Sequence, residues 1–221
     1  MDEAKTNLTY LKIIIYLIIF FTIWSIRELV IRPIFLSPLD ALAFEIVEST
    51  TKVLIWTVPA ILLIKHYQND MWISLKEMFT SKFKWTMLIP LLILIVYHLI
   101  LAWVSHGSLA ISPDFYPVRL FEVVIFAGIT EELVFRGFLL NAFLKKMKVV
   151  PAVVTSEILF TLIHYPMWIY YGFDLAFFGA ASIQVFITGV FFAIAFIKTK
   201  NIWVPIVMHS AWNLFLILLA R

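Results

Sequence analysis

The chain has 221 residues, of which 63% are hydrophobic and 14% are charged, and its mean hydropathy is +0.99. Soluble domains are about 45–50% apolar and about 25% charged, so this composition excludes a soluble protein and predicts one transmembrane domain over residues 1–221. The net charge of +3 is too small to indicate a nucleic-acid partner, and the absence of cysteine excludes disulfides, thiolate metal ligands and a cysteine nucleophile.

Seven apolar runs are long enough for the about 20 residues that a membrane-spanning helix needs. They fall near residues 9–31, 41–64, 85–104, 118–141, 150–168, 177–197 and 202–220. This pattern predicts an all-α fold, a polytopic transmembrane helix bundle of about seven spans. An eighth span is an alternative if either of the first two long segments breaks, or if residues 168–180 dip into the membrane. No small-residue cleavage site follows the first run, which we therefore interpret as a retained span and not as a signal peptide.

Lysine residues are concentrated in alternate loops between the predicted spans. The positive-inside rule then places these loops and the N-terminus in the cytoplasm and Arg221 outside. We expect a multi-pass protein of a cell membrane, and the Phe-, Ile- and Lys-rich composition is typical of a low-GC bacterium. The lysines concerned are Lys65, Lys76, Lys82 and Lys84 after the second span, Lys145, Lys146 and Lys148 after the fourth, and Lys198 and Lys200 after the sixth.

The segment "NDMWISLKEMFTSKFKW" (69–85) is too polar to span a membrane. Its apolar side chains fall on one helical face, which leaves two interpretations. The segment is either a helix lying in the cytoplasmic interface, or an amphipathic connector packed on the bundle. The apolar face consists of Met71, Trp72, Leu75, Met78 and Phe79.

The fourth span contains the segment "GITEELVFRGFLL" (128–140), which places three charged residues within two helical turns. A charge at mid-depth costs about 2.5–3.5 kcal/mol on insertion scales, so such residues indicate function. Glu132 and Arg136 are four residues apart and can form an ion pair. Glu131 points about 100° away from Glu132, so it is left to face a cavity, where a carboxylate suits general-base catalysis. The alternative is a buried ion-pair network that only locks two helices together.

Polar residues recur on one face of the fifth and seventh spans. Glu157 and His164 are seven residues apart, almost two turns, and His209 and Asn213 are four apart. Each histidine alone is as well explained by a hydrogen-bonded core residue. Three consecutive late spans share this feature and the early spans are poorer in polar residues, so the pattern predicts one shared site on the late spans.

Several reaction classes lack their residues in this sequence. There is no H-E-x-x-H zinc motif, no Gly-x-Ser-x-Gly elbow and no aspartate deep in a predicted span. Ser210 points about 100° away from His209, which makes it a poor nucleophile candidate. The remaining groups can activate water, through Glu131 and His164, and can donate hydrogen bonds to an oxyanion, through His209 and Asn213.

Three motifs also resemble those of a known family, the CAAX protease and bacteriocin-processing family of intramembrane proteases. They are Glu131-Glu132-x-x-x-Arg136, Phe160-x-x-x-His164 and His209-x-x-x-Asn213, within a likeness that covers about residues 118–215. The eukaryotic relatives of that family are the type II CAAX prenyl endopeptidases. The resemblance implies that Glu131 and His164 activate the hydrolytic water and that His209 and Asn213 stabilise the oxyanion. It also implies that Glu132 and Arg136 hold the site together.

The resemblance leaves the metal content of the site open, because the family has been described both as metalloproteases and as metal-free glutamate proteases. Glu131, His164 and His209 are able to form a two-histidine, one-carboxylate zinc set. Asn213 is a poor zinc ligand and the two histidines are not on one helix, so we favour a site without a metal or another cofactor.

Glu157 departs from the family pattern, which usually has a small or polar residue there. Three roles are open for it as a supporting residue. It orients the His164 imidazole through a neighbour, lines the substrate entrance, or reaches the cytoplasmic interface.

The resemblance implies an intramembrane endopeptidase that cleaves a membrane-embedded or lipidated peptide or protein within the lipid bilayer. In bacteria the family is associated with bacteriocin maturation and self-immunity. One alternative is acyl transfer to membrane lipoproteins, because the same residues would polarise an ester carbonyl and one branch of the family has been linked to lipoprotein N-acylation. The other alternative is a non-catalytic bacteriocin-immunity or binding protein.

Overall fold

The structure is a computed structural model that describes residues 7–82, 88–113 and 115–219. The described residues are helical over 83% of the chain and contain no strand, as the sequence predicts. They form seven long helices and one short one. These are α1 (Tyr10–Leu36), α2 (Ala41–His66), α3 (Leu75–Thr80), α4 (Leu88–His106), α5 (120–146), α6 (Val149–Tyr170), α7 (Leu175–Thr199) and α8 (Trp203–Leu219).

Five of these helices, α1, α2, α4, α6 and α7, are long and apolar enough to cross a membrane. Helix α8 is apolar but has only 17 residues, and α5 carries four charged residues in its first 17. A multi-pass membrane protein is therefore confirmed, whereas the count of seven spans and the orientation stay predictions. Residues 1–6, Lys84 and Arg221, on which the predicted orientation partly depends, lie outside the described residues.

Polar side chains define where several helices begin. The Asp40 carboxylate accepts a hydrogen bond from the backbone N–H of Ala43 at the start of α2, and Asp174 does the same at the start of α7. These bonds satisfy backbone donors that have no partner in the first turn of a helix. Helix α7 ends at Lys200, whose φ of 53° is left-handed and stops the helix. The sequence thus fixes the lengths of these helices through residues outside their apolar faces.

Helix α5 alternates between regular α-helical turns and wider π-helical turns. The segments Leu120–Phe126 and Leu133–Leu140 are π-helical, and Ala127–Glu132 between them is α-helical. At the first junction the backbone N–H of Ala127 donates to the carbonyl of Glu122, five residues earlier. Wider turns rotate the following side chains relative to a regular helix, and they are frequent at functional sites.

Helix α5 is the central element of the bundle. Every residue from 130 to 143 is buried, because α2, α6 and α8 all pack against this helix. Its aromatic residues Phe135 and Phe138 lie in the main hydrophobic core with Trp56 of α2 and Phe160 of α6. Neighbouring helices therefore shield the charged middle of α5 from lipid, which removes the cost of exposing those charges to the bilayer.

The connector that contains α3 packs on the bundle. Met71 and Met78 are buried, and the Asn141 side chain of α5 accepts from the backbone N–H of Ile73 and donates to its carbonyl. The backbone N–H of Ile202 donates to the carbonyl of Met78, which ties the connector to the start of α8. The structure thus shows the packed connector, while the depth of this segment in the membrane interface stays a prediction.

Candidate active site

Arg136 lies at the centre of a fully buried ion cluster. Its guanidinium donates to Glu132 at 2.8 Å, to Glu157 of α6, and to the backbone carbonyl of Gly189 of α7 at 3.0 Å. The side chains of Glu132, Arg136 and Glu157 are all 0% exposed. The Phe160 ring lies 4.4 Å from the guanidinium carbon. This single cation therefore joins three helices and offsets the charge of two carboxylates that have no access to water.

The position of Glu157 corrects two of the three roles predicted for it. Its buried carboxylate binds Arg136, so Glu157 neither lines an entrance nor reaches the cytoplasmic interface. Its contacts lead to His209 through Arg136 and Glu132, and to His164 through Arg136 and the Phe160 ring. The space for this carboxylate exists because residue 189 is glycine, since a Cβ atom there would overlap the Glu157 carboxylate.

The His209 imidazole is fixed on four sides. Its Nδ1 lies 2.8 Å from the Glu132 carboxylate, and its Nε2 lies 3.8 Å from an oxygen of Glu131. The Phe192 ring stacks on the imidazole at 5.1 Å, and the Phe160 ring meets it edge-on at 5.8 Å. Two carboxylates of consecutive residues thus face opposite nitrogens of one imidazole, and the orientation of the ring follows from these contacts.

His164 lies on the other side of the Phe160 ring. Its ring centre is 5.3 Å from that of Phe160, and its Nδ1 is 3.0 Å from the Phe160 carbonyl oxygen. A carbonyl can only accept, so Nδ1 carries the proton in this contact and Nε2 of the neutral ring is an acceptor. Helix α6 turns at this histidine, because its α-helical part ends at Leu162.

Asn213 is bound to the first wide turn of α5. Its side-chain amide donates to the backbone carbonyl of Val123 at 2.8 Å. An amide carries two N–H groups, so this contact fixes the side chain and leaves a second donor. The predicted spacing of His209 and Asn213 is therefore realised, with both residues turned towards α5.

Glu131 is the carboxylate that Arg136 does not bind. It is 7% exposed, and no other described residue forms a hydrogen bond with its carboxylate. Its two oxygens face different groups, since one lies 3.8 Å from Nε2 of His209 and the other lies 3.9 Å from the ammonium of Lys52. Of the adjacent pair, Glu132 is held by short contacts and Glu131 is not.

Lys52 of α2 is a site residue that the sequence analysis missed. Its ammonium contacts the Glu122 carboxylate and lies 3.9 Å from carboxylate oxygens of both Glu48 and Glu131. The available signal was the pair Glu48 and Lys52, four residues apart inside an apolar span, which is the same spacing as Glu132 and Arg136. The three motifs that resemble the family all lie after residue 118, so they do not include Lys52.

Two groups of charged residues therefore surround Glu131. We call Glu132, Arg136, Glu157 and His209 the late cluster, and Arg27, Glu28, Arg32, Glu48, Lys52 and Glu122 the early cluster. In the early cluster Arg27 binds both Glu28 and Glu48, and Arg32 lies 3.0 Å from Glu28. The early spans, which show no recurring polar face in the sequence, also supply a charged cluster, because their charges are spread over α1 and α2 and meet only in the fold.

The proposed zinc set is not assembled in the described residues. No three His, Asp or Glu side chains among them lie close enough together to hold a metal ion. In His209 the Nδ1 nitrogen is already bound to Glu132, so only Nε2, on the side of Glu131, remains for a metal ion. Glu131, His164 and His209 therefore do not form a zinc site as they lie among the described residues.

Comparisons with known proteins identify a family over the part of the chain that carries the late cluster. The family described as type II CAAX prenyl endopeptidase Rce1-like matches residues 113–215, a little under half of the chain. Neither curated proteins nor solved structures gave a match. The matched region includes every residue predicted for the site. Residues 113–215 are thus similar to a family of proteases, the Rce1-like type II CAAX prenyl endopeptidases, which confirms the resemblance.

Proposed function

We propose that the chain is an intramembrane endopeptidase that cleaves a membrane-associated peptide or protein with water activated by Glu131. The observation that carries the proposal is the position of Glu131. It is a buried carboxylate without a hydrogen bond among the described residues, and it lies 3.8 Å from an imidazole that a second carboxylate holds in place. Membership of a protease family supports the same reaction class.

In the proposed first step the oxygen of a water molecule attacks the scissile carbonyl carbon. Glu131 accepts a proton from this water during the attack. His164 assists by positioning this water. The contact of its Nδ1 with the Phe160 carbonyl leaves Nε2 as the acceptor for a water hydrogen. Positioned acid–base groups of this kind contribute about 100- to 10,000-fold to rates.

The proposed second group stabilises the oxyanion that forms on the attacked carbonyl. In its doubly protonated form His209 donates from Nδ1 to Glu132 and from Nε2 to the oxyanion. Asn213 donates its second amide hydrogen, since the first is bound to Val123. The carbon–nitrogen bond then breaks, and the proton held by Glu131 passes to the leaving nitrogen, so that Glu131 is again ionised.

Three residues of the late cluster, Glu132, Arg136 and Glu157, have a supporting role in this proposal. Glu132 fixes His209, Arg136 fixes Glu132, and Glu157 fixes Arg136. In the proposed reaction none of the three contacts the reacting atoms, so they maintain the geometry that the reaction needs.

An apolar groove that opens between two helices is suited to a substrate that arrives from the membrane. It has a volume of about 480 Å³ and lies between α6 and α7. Its walls are largely apolar and include Thr161 and Tyr165, which flank His164 in the chain, as well as Ile183 and Phe186. Apolar clefts of this size hold small ligands or parts of larger ones. The groove supports a membrane-embedded or lipidated substrate.

The proposal is tested by comparing membranes from cells that express the wild type or Glu131→Gln. Small proteins and lipoproteins of both membranes are analysed by mass spectrometry. We expect shortened peptides that appear only with the wild type. An added acyl mass on N-terminal lipid-modified cysteines would instead identify acyl transfer, and identical spectra would identify a non-catalytic binding protein. Either of these results overturns the proposal.

Glu77→Gln is the matched control for this comparison. It removes a carboxylate from an exposed pair with Lys200, where the two groups are 3.5 Å apart and more than 40% exposed. We expect the control to produce the same peptides as the wild type. Equal amounts of folded protein in all three membranes make the spectra comparable.

A further inference from the structure

Lys52 connects the early cluster to Glu131. Its ammonium lies 3.9 Å from one oxygen of Glu131, while Nε2 of His209 lies 3.8 Å from the other. The carboxylate is thus placed between α2 on one side and α8 on the other. From this geometry we infer that Lys52 is a positioning residue for Glu131, which holds that carboxylate in place beside His209 for the attack on water. The inference rests on the proposed function.

The ammonium of Lys52 is itself held in place by the fold. Its side chain is about one-tenth exposed, and its ammonium contacts the carboxylate of Glu122 of α5, a residue inside the region that matches the family. Glu48, one turn earlier in α2, lies on its other side at 3.9 Å. A flexible lysine side chain needs such contacts to stay in one position, because it otherwise has many rotamers.

Lys52 lies closer to Glu122 than to Glu131, and this difference explains why Glu131 remains able to act as a base. Lys52 makes its short contact with Glu122, whereas 3.9 Å to Glu131 is longer than a hydrogen bond. A cation at this separation still favours the ionised carboxylate. It does not occupy the oxygen that must accept the proton. Glu132, by contrast, binds Arg136 and His209 through one oxygen at 2.8 Å each, and its other oxygen is buried out of reach of water.

Binding of a substrate carboxylate is the competing role for a buried lysine, and the surroundings of Lys52 argue against it. Three carboxylates, those of Glu48, Glu122 and Glu131, already lie within 4 Å of the ammonium. A fourth anion would meet the repulsion of all three at short distance. The charge of Lys52 is therefore directed to groups of the protein itself.

Groups from three helices face Glu131. A test must distinguish the effect of Lys52 from the effects of the others. Lys52 faces it from α2 and His209 from α8. Glu132 is the adjacent residue on α5. Among the described residues Lys52 is the only permanent cation within 4 Å of this carboxylate, so replacing it removes a charge near Glu131 without changing the groups proposed to contact the substrate.

Infrared difference spectroscopy of the purified protein in lipid nanodiscs tests the inference without a substrate. Spectra recorded across a pH series show the carbonyl band of protonated carboxylic acids, and Glu131→Gln identifies the part that belongs to Glu131. We expect the midpoint of this band to lie about one to three pH units higher in Lys52→Met than in the wild type. Lys52→Arg, which keeps the charge, is expected to restore most of the wild-type midpoint.

Lys146→Met is the matched control. Lys146 also lies 3.9 Å from a carboxylate, that of Asp70, but it is remote from the site and partly exposed. The Glu131 band should keep its wild-type midpoint in this variant. In Lys52→Met the Glu122 carboxylate remains buried without its cation, which could prevent folding. The double variant Lys52→Met/Glu122→Gln removes this carboxylate, and the midpoint of the Glu131 band is measured in it if the single variant does not fold.

A rate measurement extends the test to catalysis. The probe is a quenched fluorescent peptide with an S-prenylated cysteine followed by two aliphatic residues. Below the shifted midpoint, kcat of Lys52→Met should fall about tenfold for each pH unit while KM stays the same, and the rate should recover at higher pH. A residue with only a structural role would lower the rate equally at every pH.

The results for Lys52 and for the proposed function remain separable. An unchanged Glu131 midpoint in Lys52→Met overturns the inference about Lys52, even if the protein cleaves peptides. A shifted midpoint supports the inference about Lys52, even if the probe is not cleaved. In that case the mass-spectrometric comparison of wild type and Glu131→Gln decides the proposed function.

Discussion

The two clusters on either side of Glu131 are built in different ways. The late cluster has one permanent cation, since among the described residues only Arg136 forms ion pairs with both Glu132 and Glu157. The early cluster has three cations, Arg27, Arg32 and Lys52, which share neighbouring carboxylates. The late cluster is completely buried, whereas the early cluster reaches Arg32, which is 12% exposed.

This difference indicates different tasks for the two clusters. A network with one cation and no spare partner has a single low-energy arrangement, so it suits the fixing of His209. A network with several cations can lose one contact and retain others. We therefore infer that the early cluster places the positive charge of Lys52 near Glu131 without a hydrogen bond. The late cluster instead fixes the position of His209 through short hydrogen bonds.

We expect the largest effect on stability when one arginine is removed, and the size of the loss should differ between the two clusters. Arg136→Met leaves two fully buried carboxylates without a cation, which should cost about 3–5 kcal/mol of stability. Arg27→Met should cost less, about 1–3 kcal/mol, because Glu28 keeps Arg32 at 3.0 Å and Glu48 keeps Lys52 at 3.9 Å. Thermal unfolding in detergent measures both.

A control separates the lost charge from lost packing in the Arg136 variant. Arg136→Met/Glu157→Gln removes one of the two unpaired carboxylates and should recover part of the stability. Equal losses for Arg27→Met and Arg136→Met would show that the two clusters do not differ in redundancy, and the comparison would fail.

A smaller effect is expected from two glycines that lie against different polar groups. A Cβ at Gly189 would overlap the Glu157 carboxylate and crowd Arg136 and Phe160, whereas a Cβ at Gly128 would meet the Ser210 hydroxyl. Gly189→Ala should cost about 1–3 kcal/mol, because it displaces a buried ion pair. Gly128→Ala should cost less, since the hydroxyl can rotate away. Melting temperatures of the two variants check the order, and a larger loss for Gly128→Ala would contradict it.

The sequence was sufficient to predict the helical fold and the local part of the late cluster. The spacing of Glu132 and Arg136 predicted an ion pair that the structure contains, and Glu131 was predicted to avoid that arginine. These features are local, because residues four apart on one helix are neighbours whatever the rest of the fold does. His209 and Asn213 both face α5 for the same reason.

The early cluster was not predictable by the same means. Lys52 reaches Glu122 and Glu131 across 70 and 79 positions of the chain, and only the packing of α2 against α5 brings them together. Glu157 was misplaced because the gap that holds it comes from a glycine on another helix, Gly189. The wide turns of α5 were also missed, since no residue pattern in the segment marks them.

The central claim is that Glu131 works on the substrate while its neighbour Glu132 holds the site together. The melting temperatures of Glu131→Gln and Glu132→Gln test it most directly. Glu132→Gln weakens short contacts to Arg136 and His209, and it should cost about 3 kcal/mol and lower the melting temperature by about 6–12 °C. Glu131→Gln should leave the melting temperature unchanged or raise it, as is common when a functional charge is removed. Equal losses, or a larger loss for Glu131→Gln, would contradict the account.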